Sequence, residues 1–135
     1  MDAVLVIGRI LFGMLFVTSA IGGHFMATDA MAGYTEMRGM KPGRPLVLLS
    51  GLGLLAGGLG IILGIWIDLA ALTLAVLMFV TAFGIHHFWT DSGEARQMDM
   101  VQFQKDVALG GAALWIFAAY AGADASRFLL TEPLF

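Results

Sequence analysis

The chain has 135 residues, enough for one domain and too few for a second independent core. Apolar residues make up 59% of it, 18 further positions are glycine, only 13% are charged, and the mean hydropathy is +0.88. Soluble domains, glycine included, hold nearer ~45–50% apolar and ~25% charged residues, so a water-soluble globule is excluded, as is disorder, which needs the opposite balance. Seven Lys and Arg against ten Asp and Glu give a net charge of −3, which leaves no basic surface for nucleic acid. Cysteine is absent, which removes disulfides, thiolate metal sites and thiol nucleophiles.

A bilayer core of about 30 Å asks for ~20 mostly apolar residues per helix, and four stretches meet or approach that length. The first covers residues 3–25, interrupted by Arg9 and His24. Thr18, Ser19 and Ala20 offer the small residues of a leader cleavage site, but no Lys or Arg precedes the apolar run, so a retained span is expected. In the connection that follows, a short helix is predicted over residues 28–38, with Thr28 to cap it, Asp29 in its first turn, Arg38 in its last and Gly39 to stop it. Met31, Tyr34 and Met37 recur on one face of it, as in a helix lying in the membrane interface.

The second span, residues 45–67, contains no ionisable group and opens with Pro45 where a helix start tolerates it. Asp68 alone separates it from the third span, residues 69–89, which predicts a tight antiparallel hairpin. Residues 90–106 form the third connection, with a second short interfacial helix expected, and residues 107–123 the fourth span. The expected fold is an all-α, integral membrane four-helix bundle in one domain, with short interfacial helices in the first and third connections. Antiparallel alternation places Arg38, Lys41, Arg44, Arg96 and Lys105 on one membrane face, and Arg9, Asp68, Arg127 and both termini on the other. The positive-inside rule makes the first face cytoplasmic.

Within the second span Ser50, Gly53, Gly57, Gly60 and Gly64 recur with a 3.5-residue period, a seam along which a neighbouring backbone can approach closely. A slot for a flat ligand is the other use of such a seam. Arg9, about two turns into the first helix, can reach the face that holds Asp68, and an ion pair between them is expected, with an anionic headgroup as the alternative partner.

The richest layer lies at the opposite face, where the end of span one, the end of span three and the start of span four meet. It gathers His24, His86, His87, Trp89, Lys105 and Asp106, including all three histidines of the chain. Three chemistries fit: a quinone headgroup beside an aromatic wall of Phe83, Phe88 and Trp89; a haem b held by two histidines; or a metal on two histidines and a carboxylate such as Asp106, Asp91 or Glu94. An anchoring belt of interfacial His and Trp would leave the layer without a ligand. Adjacent His86 and His87 point roughly 100° apart on a helix, so one small site takes only one of them. No nucleophile constellation, phosphate loop or pair of broken helices is present.

The sequence resembles the DoxX family of small four-helix bacterial membrane proteins. The matching residues are Gly8-Arg9-Ile10-Leu11-Phe12-Gly13, Gly51-Leu52-Gly53-Leu54-Leu55-Ala56-Gly57-Gly58 with Gly64, Ala70-Ala71-Leu72, and Phe103-Gln104-Lys105-Asp106-Val107-Ala108-Leu109-Gly110-Gly111. Leu54 and Asp68 stand where members often carry a glutamate and a basic residue. The resemblance implies a redox-associated or quinone-linked membrane partner, with more distant relatives resembling cargo receptors or assembly chaperones. The expectation is a multi-pass accessory subunit of the bacterial cytoplasmic (inner) membrane. It would pack in the lipid bilayer on a larger complex or in a homo-oligomer, without catalysis of its own. A quinone-interacting oxidoreductase component and a membrane assembly chaperone are the alternatives.

Overall fold

The computed structural model describes residues 2–122 and is helical throughout, with no strand among the described residues. Five α-helices follow in order: α1 (Asp2–Ser19), α2 (Thr28–Met37), α3 (Gly43–Leu63), α4 (Ile67–Gly84) and α5 (Gly93–Tyr120). Among the described residues three segments are long and apolar enough to cross a membrane: Asp2–Phe25, Gly43–Leu63 and Ile67–Thr90. The last residue of the expected fourth span, Ala123, and the cation Arg127 lie outside the described residues.

α1 runs into a π-helical segment, Ala20–Phe25. Gly22 and Gly23, poor helix formers, fall where the ladder widens from four-residue to five-residue spacing. His24 Nδ1 lies 3.1 Å from the Ser19 carbonyl oxygen, which follows that wider spacing. α2 forms close to its expected place, but Thr28 does not cap it. The Thr28 hydroxyl donates backward to the carbonyls of His24 at 2.6 Å and Phe25 at 3.1 Å, binding α2 to the π-helical segment. Gly39 takes φ +90° just past the end of α2, a conformation that glycine adopts without a Cβ clash.

The hairpin between α3 and α4 turns earlier than expected. Gly64 caps α3 in the left-handed region at φ +77°, and the chain reverses through Ile65 and Trp66, so Asp68 falls in the first turn of α4. There its carboxylate complements the positive end of the helix dipole. The third connection differs more. After a 3₁₀ turn at Phe88–Thr90, α5 starts at Gly93 and runs 28 residues without a break, so no separate interfacial helix forms. The polar first half of α5 continues into the apolar half because Asp99 and Asp106, seven residues apart and thus on one face, are both buried against partners.

α3 packs on α1, α2 and α4, and α4 packs on α5. A single core joins α1, α3, α4 and α5, with Phe16, Ile61 and Leu74 as its largest fully buried side chains and Ala71, Ala75 and Ala113 filling the narrow contacts. The glycine seam of α3 divides by neighbour. A β-carbon at Gly53 would stand 2.7 Å from Leu77, at Gly57 2.7 Å from Leu74, and at Gly60 2.7 Å from Ala70, all on α4. A second row faces α1, where a β-carbon at Gly58 would stand 2.8 Å from the Gly13 carbonyl oxygen. Ser50 leaves the seam and faces a cavity described below.

The structure replaces the expected Arg9–Asp68 ion pair with another arrangement. Arg9 donates through Nε to the Ile61 carbonyl at 2.7 Å and through Nη2 to the Ile62 carbonyl at 2.9 Å. Those carbonyls belong to the last turn of α3, which has no following turn to satisfy them. Gly64 lies against the guanidinium, so only a residue without a side chain lets Arg9 lie across the helix end.

Gly58→Ala should lower stability by about 1–3 kcal/mol, because its methyl group must push two helix backbones apart. Gly111→Ala, with open space around it, should be neutral or stabilising by up to about 1 kcal/mol. Thermal unfolding in detergent reads both, and equal midpoints for the two variants would contradict this packing.

Candidate functional site

The polar layer is assembled by three elements. α4 ends at Gly84, and the chain that follows carries His86 and His87 outward in different directions. His86 turns toward α5, where Nδ1 lies 3.2 Å from Asp99 Oδ1 and Nε2 lies 3.9 Å from Asp106 Oδ2. His87 turns toward α2, with Nε2 3.2 Å from the Arg38 carbonyl oxygen. α5 supplies Asp99 and Asp106 from one face, and Lys105 Nζ stands 3.3 Å from Asp106 Oδ1 and 2.6 Å from Gln102 Oε1.

Arg38, the residue that ends α2, is the centre of the layer. Nε donates to the Ile85 carbonyl at 2.7 Å, Nη1 to Asp91 Oδ1 at 2.8 Å, and Nη2 lies 2.9 Å from His87 Nδ1 and 3.0 Å from Asp99 Oδ2. Because a guanidinium only donates, His87 Nδ1 accepts, which leaves the proton of a neutral ring on Nε2 for the Arg38 carbonyl. The side chains of Arg38, Asp91 and Asp99 are only 10%, 17% and 12% exposed. Tyr34 adds a hydroxyl shared between the two Asp99 oxygens at 3.2 and 3.3 Å.

These contacts set the ionisation of the layer. The hydrogen bond from Arg38 holds the Asp91 carboxyl below the usual carboxylate range, and the same bond raises Arg38 further. Burial, followed by the Asp99 carboxylate, pushes the Tyr34 hydroxyl up, so it stays a donor.

Beneath this layer lies a cavity of about 430 Å³. Phe16, Leu54, Leu77, Met78 and Leu109 make its apolar walls, while Ser19, His24, Tyr34, His86, Lys105 and Asp106 gather the polar groups. Met31, Tyr34 and Thr35 of α2 also line it, so the face of α2 expected to lie on lipid covers the cavity in part. Met37 of the same expected stripe is instead exposed. Leu15, Leu49 and Val80 line the cavity too and are exposed on the outer apolar surface, which the cavity therefore reaches.

The DoxX family model matches residues 4–87. The chain belongs to the DoxX family. No curated protein and no solved structure matches it. Family membership and the three apolar helices make this a small membrane protein. The matched DoxX region holds His24, Arg38, His86 and His87, whereas Asp91, Asp99, Lys105 and Asp106 follow it on the 3₁₀ turn's far side and on α5.

Of the residues singled out by sequence in this DoxX chain, His24, His86, Lys105 and Asp106 share the cavity. His87 and Trp89 do not line it. Trp89 joins an edge-to-face aromatic cluster with Phe88 at 5.5 Å and Phe103 at 5.8 Å, and Phe83 meets Phe103 at 5.2 Å. The expected aromatic wall thus lies apart from the cavity, whose walls are mainly aliphatic. Among the described residues no three His, Asp or Glu side chains converge as metal ligands would. The sequence points to no role for Asp99, and it places Tyr34 on the lipid-facing stripe of an interfacial helix and Arg38 in that helix's last turn, with neither assigned to the site. The seven-residue spacing of Asp99 and Asp106 was the signal that one face of a continuous α5 is acidic.

Arg38→Gln should cost about 3 kcal/mol or more, since it leaves the buried Asp99 carboxylate without its cation. The wild type should also lose stability as pH falls below about 4. Asp91 has a depressed folded value, so its contribution is present above the ordinary carboxylate range and disappears as the pH falls through the folded value. Thermal unfolding from about pH 3 to about pH 7 checks both, and the acid-side slope should be shallower in Arg38→Gln.

Proposed function

We propose that this DoxX protein is a multi-pass protein of the bacterial cytoplasmic membrane that receives the headgroup of a lipid-soluble quinone in its cavity. In this reading α1, α3, α4 and the apolar half of α5 form a four-helix bundle across the bilayer, and α2 lies at its cytoplasmic interface. One observation carries the proposal. The cavity joins aliphatic walls to a cluster of hydrogen-bonding side chains at one end and reaches the apolar outer surface, the shape an amphipathic ligand entering from lipid requires.

Phe16, Leu54, Leu77 and Met78 would hold the ring and the start of its tail, while Lys105, and His86 when its Nε2 is protonated, would direct donors at its carbonyl oxygens. A quinone supplies the redox chemistry when bound, and this chain's residues bind and orient it. A second reading has its own support. Ala108, Gly111, Ala112 and Trp115 form an exposed face of α5 dominated by small residues, and Gly111 has nothing near it. Such a face suits close packing against another helix, as an accessory or assembly subunit of a larger membrane complex would need.

Protein purified in mild detergent from its native membranes should carry quinone extractable with organic solvent and detectable by mass spectrometry. Leu109→Trp, which fills the cavity from α5, should weaken binding of added decylubiquinone at least about tenfold. Unchanged affinity in a folded Leu109→Trp protein would remove the cavity from consideration. A quinone-free preparation that reproducibly brings down a large membrane partner would favour the subunit reading.

A further inference from the structure

The polar layer over the cavity does not balance in charge. Arg38 and Lys105 bring two cations, while Asp91, Asp99 and Asp106 bring three carboxylates. With His24, His86 and His87 all neutral, one negative charge is left over among side chains that are only 12% exposed at Asp99 and 3% at Asp106. A buried charge without a counterion is costly, and protonation is the usual relief.

The geometry decides where that proton belongs. Asp99 is already served by Arg38, by the Tyr34 hydroxyl and by His86 Nδ1. Asp106 has Lys105, whose own side chain is 50% exposed and shared with Gln102, and His86 Nε2 at 3.9 Å. The Asp99 contact orients the His86 ring so that Nε2 faces Asp106, and both residues line the cavity. The titratable and charged groups around His86 are Asp99, Lys105 and Asp106 from α5, Tyr34 from α2 and Arg38 just past its end, and His24 across the cavity. Tyr34 and Arg38 have their donors committed to Asp99 and its neighbours, so neither can serve a ligand without abandoning that network.

We infer that His86 Nε2 and Asp106 hold one exchangeable proton at the head of the cavity, and that a carbonyl-bearing ligand there accepts a hydrogen bond from it. This rests on the cavity being a ligand site, as proposed above. Without the proton, His86 Nε2 and the Asp106 oxygens are acceptors facing another acceptor, the ligand carbonyl, and the contact is repulsive. With it, one donor faces the carbonyl and the charge excess is cancelled. Binding therefore takes up a proton from water. No bond in the ligand breaks and nothing is oxidised or reduced. The affinity falls as pH rises, because deprotonation removes the donor.

Decylubiquinone is the probe, titrated into the full chain in mild detergent from about pH 6 to about pH 8.5 in two buffers of different ionisation enthalpy. The wild type should lose up to about tenfold in affinity per pH unit over part of that range. The apparent binding enthalpy should differ between buffers in the sense of proton uptake. Asp106→Asn removes the surplus charge, so its affinity should lose at least half of the pH slope.

A flat wild-type profile with no buffer dependence overturns the inference and leaves the ligand site standing, as does an undiminished slope in folded Asp106→Asn. Failure of decylubiquinone to bind the wild type at any pH overturns the ligand site and this inference with it. If Asp106→Asn does not fold, the wild-type profile alone decides.

Discussion

The structure depends most on the guanidinium of Arg38. Its planar fork reaches a carbonyl after α4, a carboxylate beyond the 3₁₀ turn and a carboxylate on α5, and so ties α2 to two other parts of the chain. A lysine ammonium, with three donors on one atom, could not span acceptors that Arg38 reaches from three separate nitrogens. Taking these ions out of water costs several kcal/mol each, which only a set of mutually satisfied partners offsets. The arrangement accordingly brings two further donors to Asp99, from Tyr34 and His86. A consequence is that α2 covers the cavity in part rather than lying free on the surface.

The same physical demand acts at the opposite end of α3. Lipid offers no donors, so the carbonyls that end a membrane helix must find them within the protein. Arg9 supplies two, and the left-handed turn at Gly64 leaves room for its head. Between these two arginines the helices are held by shape. Glycines on two sides of α3 let α1 and α4 come close, and dispersion contacts replace the hydrophobic drive that lipid does not provide. Close approach on those sides contrasts with the open volume bounded by α1, α3, α4 and α5.

That contrast gives the functional reading its form. The cavity is apolar where the helices are apolar and polar where α5, the end of α4 and the π-helical segment of the first span converge. A wider turn in the backbone carries His24, and a histidine just past the end of α4 carries the donor opposite it. Both lie where regular helix gives way, so their rings are positioned by side-chain partners and carbonyls as much as by the ladder.

Composition and apolar run length determined by themselves that this chain is helical and suited to lipid, because the bilayer sets both the length and the polarity of a spanning helix. Gly39 as a helix stop and the glycine seam were legible for a similar reason, since each follows from the missing Cβ. The turn before α4 was misplaced because Asp68 is the more visible break, whereas the left-handed freedom of Gly64 is what the chain uses. Arg9 was paired with a carboxylate because charge is written in the sequence and orphan carbonyls are not. Spacing gathered His24, His86, Lys105 and Asp106 into one layer, but only the tertiary structure decided that His86 and not His87 enters the cavity and brought in Arg38, Tyr34 and Asp99. Those contacts join residues up to 65 positions apart in the chain, and such pairings follow from how helices dock, which no local periodicity encodes.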